Sequence, residues 1–165
     1  MSDSTIISNA GRLACAVKLC EQAQLRMTPA RQNILGCLAR YRTPVNLDTI
    51  TQADEIRGLC DPTTVYRTLM LLKELDVVRQ VSVGHRIRYF VLNVPGEACD
   101  YLICRSCGSI VGLPRSQTVL DLEREVSNSM GYASVYHELE IYGVCPKCQG
   151  AGKTSRPAAK LPIAN

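Results

Sequence analysis

The sequence predicts an α+β chain built from two bodies: a helical one closed by a two-stranded β-hairpin, then a small strand–helix–strand layer clamped by cysteines. Three observations predict it. Helix caps and apolar residues at spacings of three and four dominate residues 28–75. The β-rich runs VVRQVSV and RIRYFVL flank Gly84-His85. Two C-x-x-C pairs, Cys104/Cys107 and Cys145/Cys148, stand 37 residues apart.

Taken in order, Thr28 and Pro29 read as an N-cap and first helical residue, with Ala30, Ile34, Leu38 and Tyr41 following at helical spacing. Asn46 caps a second helix carrying Leu47, Ile50 and Ala53 on one side, which Gly58 ends. Asp61-Pro62 opens a third, where Thr68, Leu69 and Leu72 fall within about 60° of Val65 and form a buried stripe. Thr63, Tyr66, Arg67, Met70 and Glu74 point elsewhere. In the hairpin, Arg86 and Arg88 alternate with Ile87 and Tyr89. Three helices and a two-stranded wing are the order of a winged helix-turn-helix, assigned to residues 1–93. Residues 94–150 form the second body. YLIC and SIVGL are short strands, and Thr118 begins a helix with Val119, Leu122, Val126 and Met130 inward and Gly131 at its end. From Ser134 to Tyr142 the pattern alternates, with Val135, His137, Leu139 and Ile141 on one face. A layer of about 55 residues buries too little apolar surface to stand alone and calls for a metal staple, a partner chain or both. Residues 151–165 have no apolar period and read as a disordered tail.

The chain of 165 residues is 46% hydrophobic and 21% charged, the composition of a soluble globular protein. No apolar run reaches the ~18 residues of a membrane helix, and the first twenty residues lack a basic start followed by an unbroken apolar core, so a cytoplasmic protein is expected. In that reducing compartment, nine cysteines point to metal or reactivity rather than to disulfides. The net charge of +4 is uneven: residues 1–93 carry twelve Lys/Arg against eight Asp/Glu, and residues 94–150 carry four against seven. A basic first body suggests a polyanionic partner.

Four thiolates at the C-x-x-C spacing suit tetrahedral zinc, and a closed shell of four sulfurs makes that zinc structural rather than catalytic. The alternative is two redox pairs, but a thioredoxin-like pair sits where a strand feeds a helix, whereas Cys148 precedes Gln-Gly-Ala-Gly. Cys15, Cys20 and Cys37 read as buried small hydrophobes, and Cys60 and Cys99 as exposed thiols. Cys99, Asp100 and His137 are candidates for a second metal site, with a packed core histidine as the plainer reading of His137. No nucleophile with its base and no open metal position can be assembled, which argues against an enzyme and against a small-molecule substrate.

Thr63-Thr64-Val65-Tyr66-Arg67-Thr68-Leu69, Tyr101-Leu102-Ile103-Cys104-Arg105-Ser106-Cys107-Gly108 and Tyr142-Gly143-Val144-Cys145-Pro146-Lys147-Cys148 together closely resemble the ferric uptake regulator (Fur) family, in register from about Leu25 to Cys148. The resemblance implies a homodimeric, winged-helix transcriptional regulator, most often a repressor, that reads a palindromic operator in double-stranded DNA. Its second domain would dimerise and hold one structural zinc per chain on Cys104, Cys107, Cys145 and Cys148. By position, Tyr66 would meet thymine in the major groove, beside Thr63 and Thr64. Arg67 and Arg31 would touch the backbone, and Arg26 falls where relatives send a lysine into the minor groove. Relatives sense metal or peroxide through a His-rich segment that here reads Glu97-Ala98-Cys99-Asp100-Tyr101. Pro44 stands in the place of a histidine, and Val91 and Val119 in the places of carboxylates. Only Asp100 and His137 remain of the accessory sites, so the metal-sensing site is expected to be absent or altered. Constitutive binding, thiol control through Cys99 or Cys60, and an altered metal site are the three mechanisms this leaves. The alternative from another class is an interaction partner that pairs with a full family member without reading operators.

Overall fold

The structure, a computed structural model, describes residues 7–83, 87–95, 97, 100–133 and 135–150. Two units divide the chain, Met1–Ala98 and Cys99–Asn165, and each carries its own three-stranded sheet.

In the first unit each helix begins where a side chain satisfies the first free amides. Ser8 caps α1 (Asn9–Gln22) by accepting from the Gly11 N–H at 3.1 Å. Thr28 caps α2 (Pro29–Ala39) through the Arg31 N–H at 3.4 Å. Asn46 closes β1 (Val45–Asn46) and caps α3 (Leu47–Thr51) through the Thr49 N–H at 2.8 Å. Asp61 caps α4 (Pro62–Glu74) through the N–H groups of Thr63 and Thr64 at 2.9 and 3.0 Å. The second helix is shorter than its cap-to-glycine reading, ending at Thr51 rather than running to Gly58. Its last hydroxyl bonds back to the Asp48 carbonyl at 3.1 Å, and turns follow. Gly58, at φ +80°, closes those turns instead of a helix.

β2 (Val78–Val83) and β3 (Ile87–Leu92) pair antiparallel, Val78 opposite Leu92 and Val83 opposite Ile87, and β1 adds to the far edge of β3. The turn Gly84-His85-Arg86 lies outside the described residues. Ile34, Leu35 and Leu38 from α2, Ile50 from α3, Val65, Leu69 and Leu72 from α4, and Phe90 from β3 are all sealed from solvent. At about 1.5–3 kcal/mol for each large apolar side chain removed from water, this cluster dominates the unit's stability. Arg12 lies among these apolar residues, fully buried. Its Nη1 donates to the carbonyls of Ala39 and Tyr41 at 2.7 and 2.6 Å, past the end of α2, and its Nε lies 2.9 Å from the Glu97 carboxylate.

In the second unit β4 (Tyr101–Cys104) is central, antiparallel to β5 (Ile110–Gly112) and parallel to β6 (Glu140–Gly143). The parallel pairing requires a crossover, which α5 (Gln117–Met130) supplies before Gly131 ends it at φ +69°. α6 (Pro146–Gly150) follows β6. Two expectations change here. The alternating run is a strand only from Glu140, although Val135, His137 and Leu139 are half-buried while Tyr136 and Glu138 are exposed, as its period predicted. On α5, Leu122 and Met130 are 56% and 67% exposed instead of inward, and no residue of the helix is buried. Strands of three and four residues cannot cover a fourteen-residue helix. The tail from Ala151 lies outside the described residues.

Candidate nucleic-acid interface and metal centre

Burying Val65, Leu69 and Leu72 fixes the rotation of α4, and that rotation turns Thr63, Thr64 and Arg67 outward, all exposed, with Tyr66 half-buried beside them. The Thr64 hydroxyl also donates to Asp61 Oδ2 at 2.5 Å. These contacts, the Thr64 hydroxyl first and then the amides, hold the Asp61 carboxyl below its ordinary range. An anionic cap at the N-terminus of a helix matches the helix dipole and stabilises the turn that presents Thr63 and Thr64. Arg31 is half-buried and its Nη1 donates to the Arg26 carbonyl at 2.5 Å, so the two arginines flank the start of α2 together. One residue of this face was missed in the sequence. Arg88, on β3, donates from Nη1 to the Tyr66 hydroxyl, and its guanidinium carbon lies 5.5 Å from the centre of the Tyr66 ring. Strand alternation marks Arg88 as outward but carries no signal that pairs it with a residue of α4.

The four cysteines of the two knuckles converge although 37 residues separate them. β4 ends at Cys104 and β6 runs parallel beside it, which brings Cys145 to the same end of the sheet. All four Sγ atoms lie within 4.8 Å of one another, and Cys107 Sγ to Cys145 Sγ is 3.8 Å. Sulfurs placed tetrahedrally about 2.3 Å from a zinc ion are separated by about 3.8 Å, so the donors fit that ion. The surrounding backbone prepares one of the four as a thiolate. The N–H of Cys145, at 3.3 Å from Cys104 Sγ, then that of Cys107, bring the Cys104 thiol down to about 6. For Cys107 the Ser109 N–H acts downward, but contacts with the sulfurs of Cys104, Cys148 and Cys145 outweigh it and leave the thiol at about 11. A single cluster of four, rather than two separate pairs, is the arrangement of a metal clamp.

Cys20 and Cys37 are fully buried and burial raises both thiols, while Cys15 and Cys60 are half-buried against the core, so Cys60 is not the exposed thiol expected. Cys99 lies outside the described residues. Asp100 and His137 do meet, His137 Nε2 lying 3.0 Å from Asp100 Oδ1. The third member, Glu123, was missed: its Oε1 lies 2.8 Å from His137 Nδ1. It stands one helical turn past Val119 on the same face of α5, and looking four residues beyond the missing carboxylate was the signal available. Asp100 is buried, and its Oδ2 has no hydrogen-bond partner among the described residues. Pro44 and Val91 are buried apolar residues.

The sequence pattern of the ferric uptake regulator family matches residues 22–142. The chain belongs to the ferric uptake regulator family. Over 130 residues it is 32% identical to the peroxide-responsive repressor PerR of Staphylococcus aureus, covering 78% of this chain and 85% of that protein. Among solved structures it resembles the ferric uptake regulator of Helicobacter pylori, with a TM-score of 0.66, 19% identity, and 86% of this chain and 94% of that one covered. It also resembles a zinc uptake regulator complexed with zinc and DNA, with a TM-score of 0.54, 26% identity, and 88% and 98% covered. The chain is thus a Fur-family regulator of transcription, a family of DNA-binding regulators and not of enzymes.

Proposed function

We propose that the chain is a homodimeric, sequence-specific DNA-binding repressor that carries one structural zinc and works without the family's usual metal-sensing site. The observation that carries this reading is the outward face of α4: Thr63, Thr64 and Arg67 are exposed on a capped helix whose opposite side is sealed in the core. In it, Thr63, Thr64 and Tyr66 reach base edges in the major groove, while Arg67, Arg31 and Arg26 neutralise phosphate or enter the minor groove. Zinc on Cys104, Cys107, Cys145 and Cys148 staples the small second domain, and the apolar side chains left uncovered on α5 and β6, Leu122, Met130 and Ile141, support pairing with a second copy. Two copies read a palindrome with half-sites about one turn apart. Repression agrees with the similarity to the staphylococcal repressor. The domain assignment, residues 1–93 for DNA and 94–150 for dimerisation and zinc, belongs to the same reading, as does a cytoplasmic setting. Among the described residues, no helix is long and apolar enough to cross a membrane.

Loss of the sensing site is supported by Pro44 and Val91, whose apolar side chains pack where a ligand would be needed. A second reading has an observation of its own. The unpartnered Asp100 Oδ2 beside His137 favours a cation held by Asp100 and His137, with Glu123 orienting the imidazole and Cys99 as a further donor.

Binding of purified protein to its own upstream DNA, measured across salt concentrations, tests the proposal. Arg67→Ala is expected to weaken every sequence alike and to lower the salt slope by about one. A homodimer that protects no defined sequence would favour the interaction partner that pairs with another family member.

A further inference from the structure

We infer that Arg88 is a positioning residue for base recognition: it fixes the Tyr66 hydroxyl as a hydrogen-bond donor and so selects a base that offers an acceptor. The inference rests on the DNA-binding reading of α4. A phenol hydroxyl has one hydrogen to give and lone pairs to accept with, whereas a guanidinium can only donate. With Arg88 Nη1 donating to Tyr66 Oη, the phenol oxygen is the acceptor on that side, and its own hydrogen is directed away from the wing. The guanidinium carbon lies 5.5 Å from the ring centre, beyond the hydroxyl end, so it restrains the ring through its oxygen.

The restraint matters because the ring has somewhere to fall. A cavity of about 400 Å³ opens beside it, walled by Leu47, Ile87 and Phe90 and edged by Asp48. Without Arg88, the ring can turn into that space, lined by Leu47, Ile87 and Phe90 with Asn46 and Asp48 among them, and withdraw its hydroxyl from the outer face of α4. In the major groove a donor is met by guanine N7 and O6, by adenine N7 and by thymine O4, whereas the cytosine amine cannot accept it. The wing thereby takes part in sequence choice through a residue of α4, without touching a base.

The test uses the full chain and a pool of duplexes of randomised sequence, from which bound DNA is sequenced for the wild type, Arg88→Ala, Arg88→Lys, Tyr66→Phe and the double variant Arg88→Ala/Tyr66→Phe. The wild type is expected to disfavour cytosine at one position of each half-site, by about threefold to tenfold for a single hydrogen bond. Arg88→Ala and Tyr66→Phe should each lose that preference at the same position, the double variant should lose no more than either, and Arg88→Lys should restore part of it. Thermal unfolding of Arg88→Ala should match the wild type, since the side chain is exposed. A uniform loss across all sequences with the preference intact would make Arg88 a phosphate contact and overturn the inference. Wild-type protein that enriches no sequence would overturn the DNA-reading proposal itself, and this inference with it.

Discussion

Replacing Arg12 by methionine gives a sharp test of how the first unit is held. Arg12 is fully buried and its guanidinium serves three acceptors on two other segments: the carbonyls of Ala39 and Tyr41, at 2.7 and 2.6 Å, and the Glu97 carboxylate at 2.9 Å. Methionine fills much of the same volume but donates nothing. Each buried acceptor left without a partner costs about 1–3 kcal/mol, and removing one member of a buried ion pair costs about 3–5 kcal/mol. Glu97 keeps Arg42 at 3.1 Å, which places the expected loss near the lower bound, about 3 kcal/mol. For a unit of this size that lowers the midpoint by at least about 12 °C, followed by circular dichroism on heating and by the urea midpoint. The double variant Arg12→Met/Glu97→Met should recover part of the loss, because apolar replacement of both partners removes the stranded charge. A loss under about 1 kcal/mol for Arg12→Met, or a double variant worse than the two singles added, would refute the reasoning.

Leu69→Ala should cost about 2–5 kcal/mol of first-unit stability, read in urea, because it opens a cavity behind the face that presents Thr63 and Arg67. Chelating the metal, or Cys104→Ser, should abolish protection of the β4 and β6 amides in hydrogen exchange while those of α2 and α4 stay protected. Glu123→Ala strands His137 Nδ1 and should lower second-unit stability by about 1–3 kcal/mol, seen as faster exchange at Tyr101, whose N–H reaches the Leu139 carbonyl at 3.0 Å. Asp61 is held below the ordinary aspartate value by the Thr64 and Thr63 contacts, so its contribution is fully present above that value and is lost as pH falls through the lower folded one. A carboxyl NMR titration should show Asp61 protonating below an ordinary aspartate, and Thr64→Ala should move it upward.

What the sequence made legible follows from how local each signal is. Caps were readable because one residue and the next settle them, as at Thr28-Pro29, Asn46 and Asp61-Pro62. The stripe was readable at Val65, Leu69 and Leu72 because those members are apolar, and it gave the outward direction of Thr63 and Arg67 without further help, whereas its polar member Thr68 is only half-buried. α1 has a stripe too, Arg12, Ala16 and Cys20, but a charge heads it, and only the distant carbonyls of Ala39 and Tyr41 explain why that charge is inside. Spacing alone named the four zinc candidates, since chemistry demands four donors and the chain offers two knuckles. Glu123 and Arg88 escaped because each acts on a residue of another element, at distances no periodicity encodes. The exposure of Leu122 and Met130 was likewise out of reach, for a helical stripe shows where apolar residues lie and not whether one copy of the chain can cover them.

The measurement that bears most directly on the account is operator binding and metal content determined on the same purified sample, before and after mild chelation. The account predicts one zinc per chain, resistant to mild chelation, with sequence-specific binding that neither requires nor responds to a second metal. Binding that arises only when a second equivalent of metal is added would contradict it and would favour a sensing site on Asp100, His137 and Cys99.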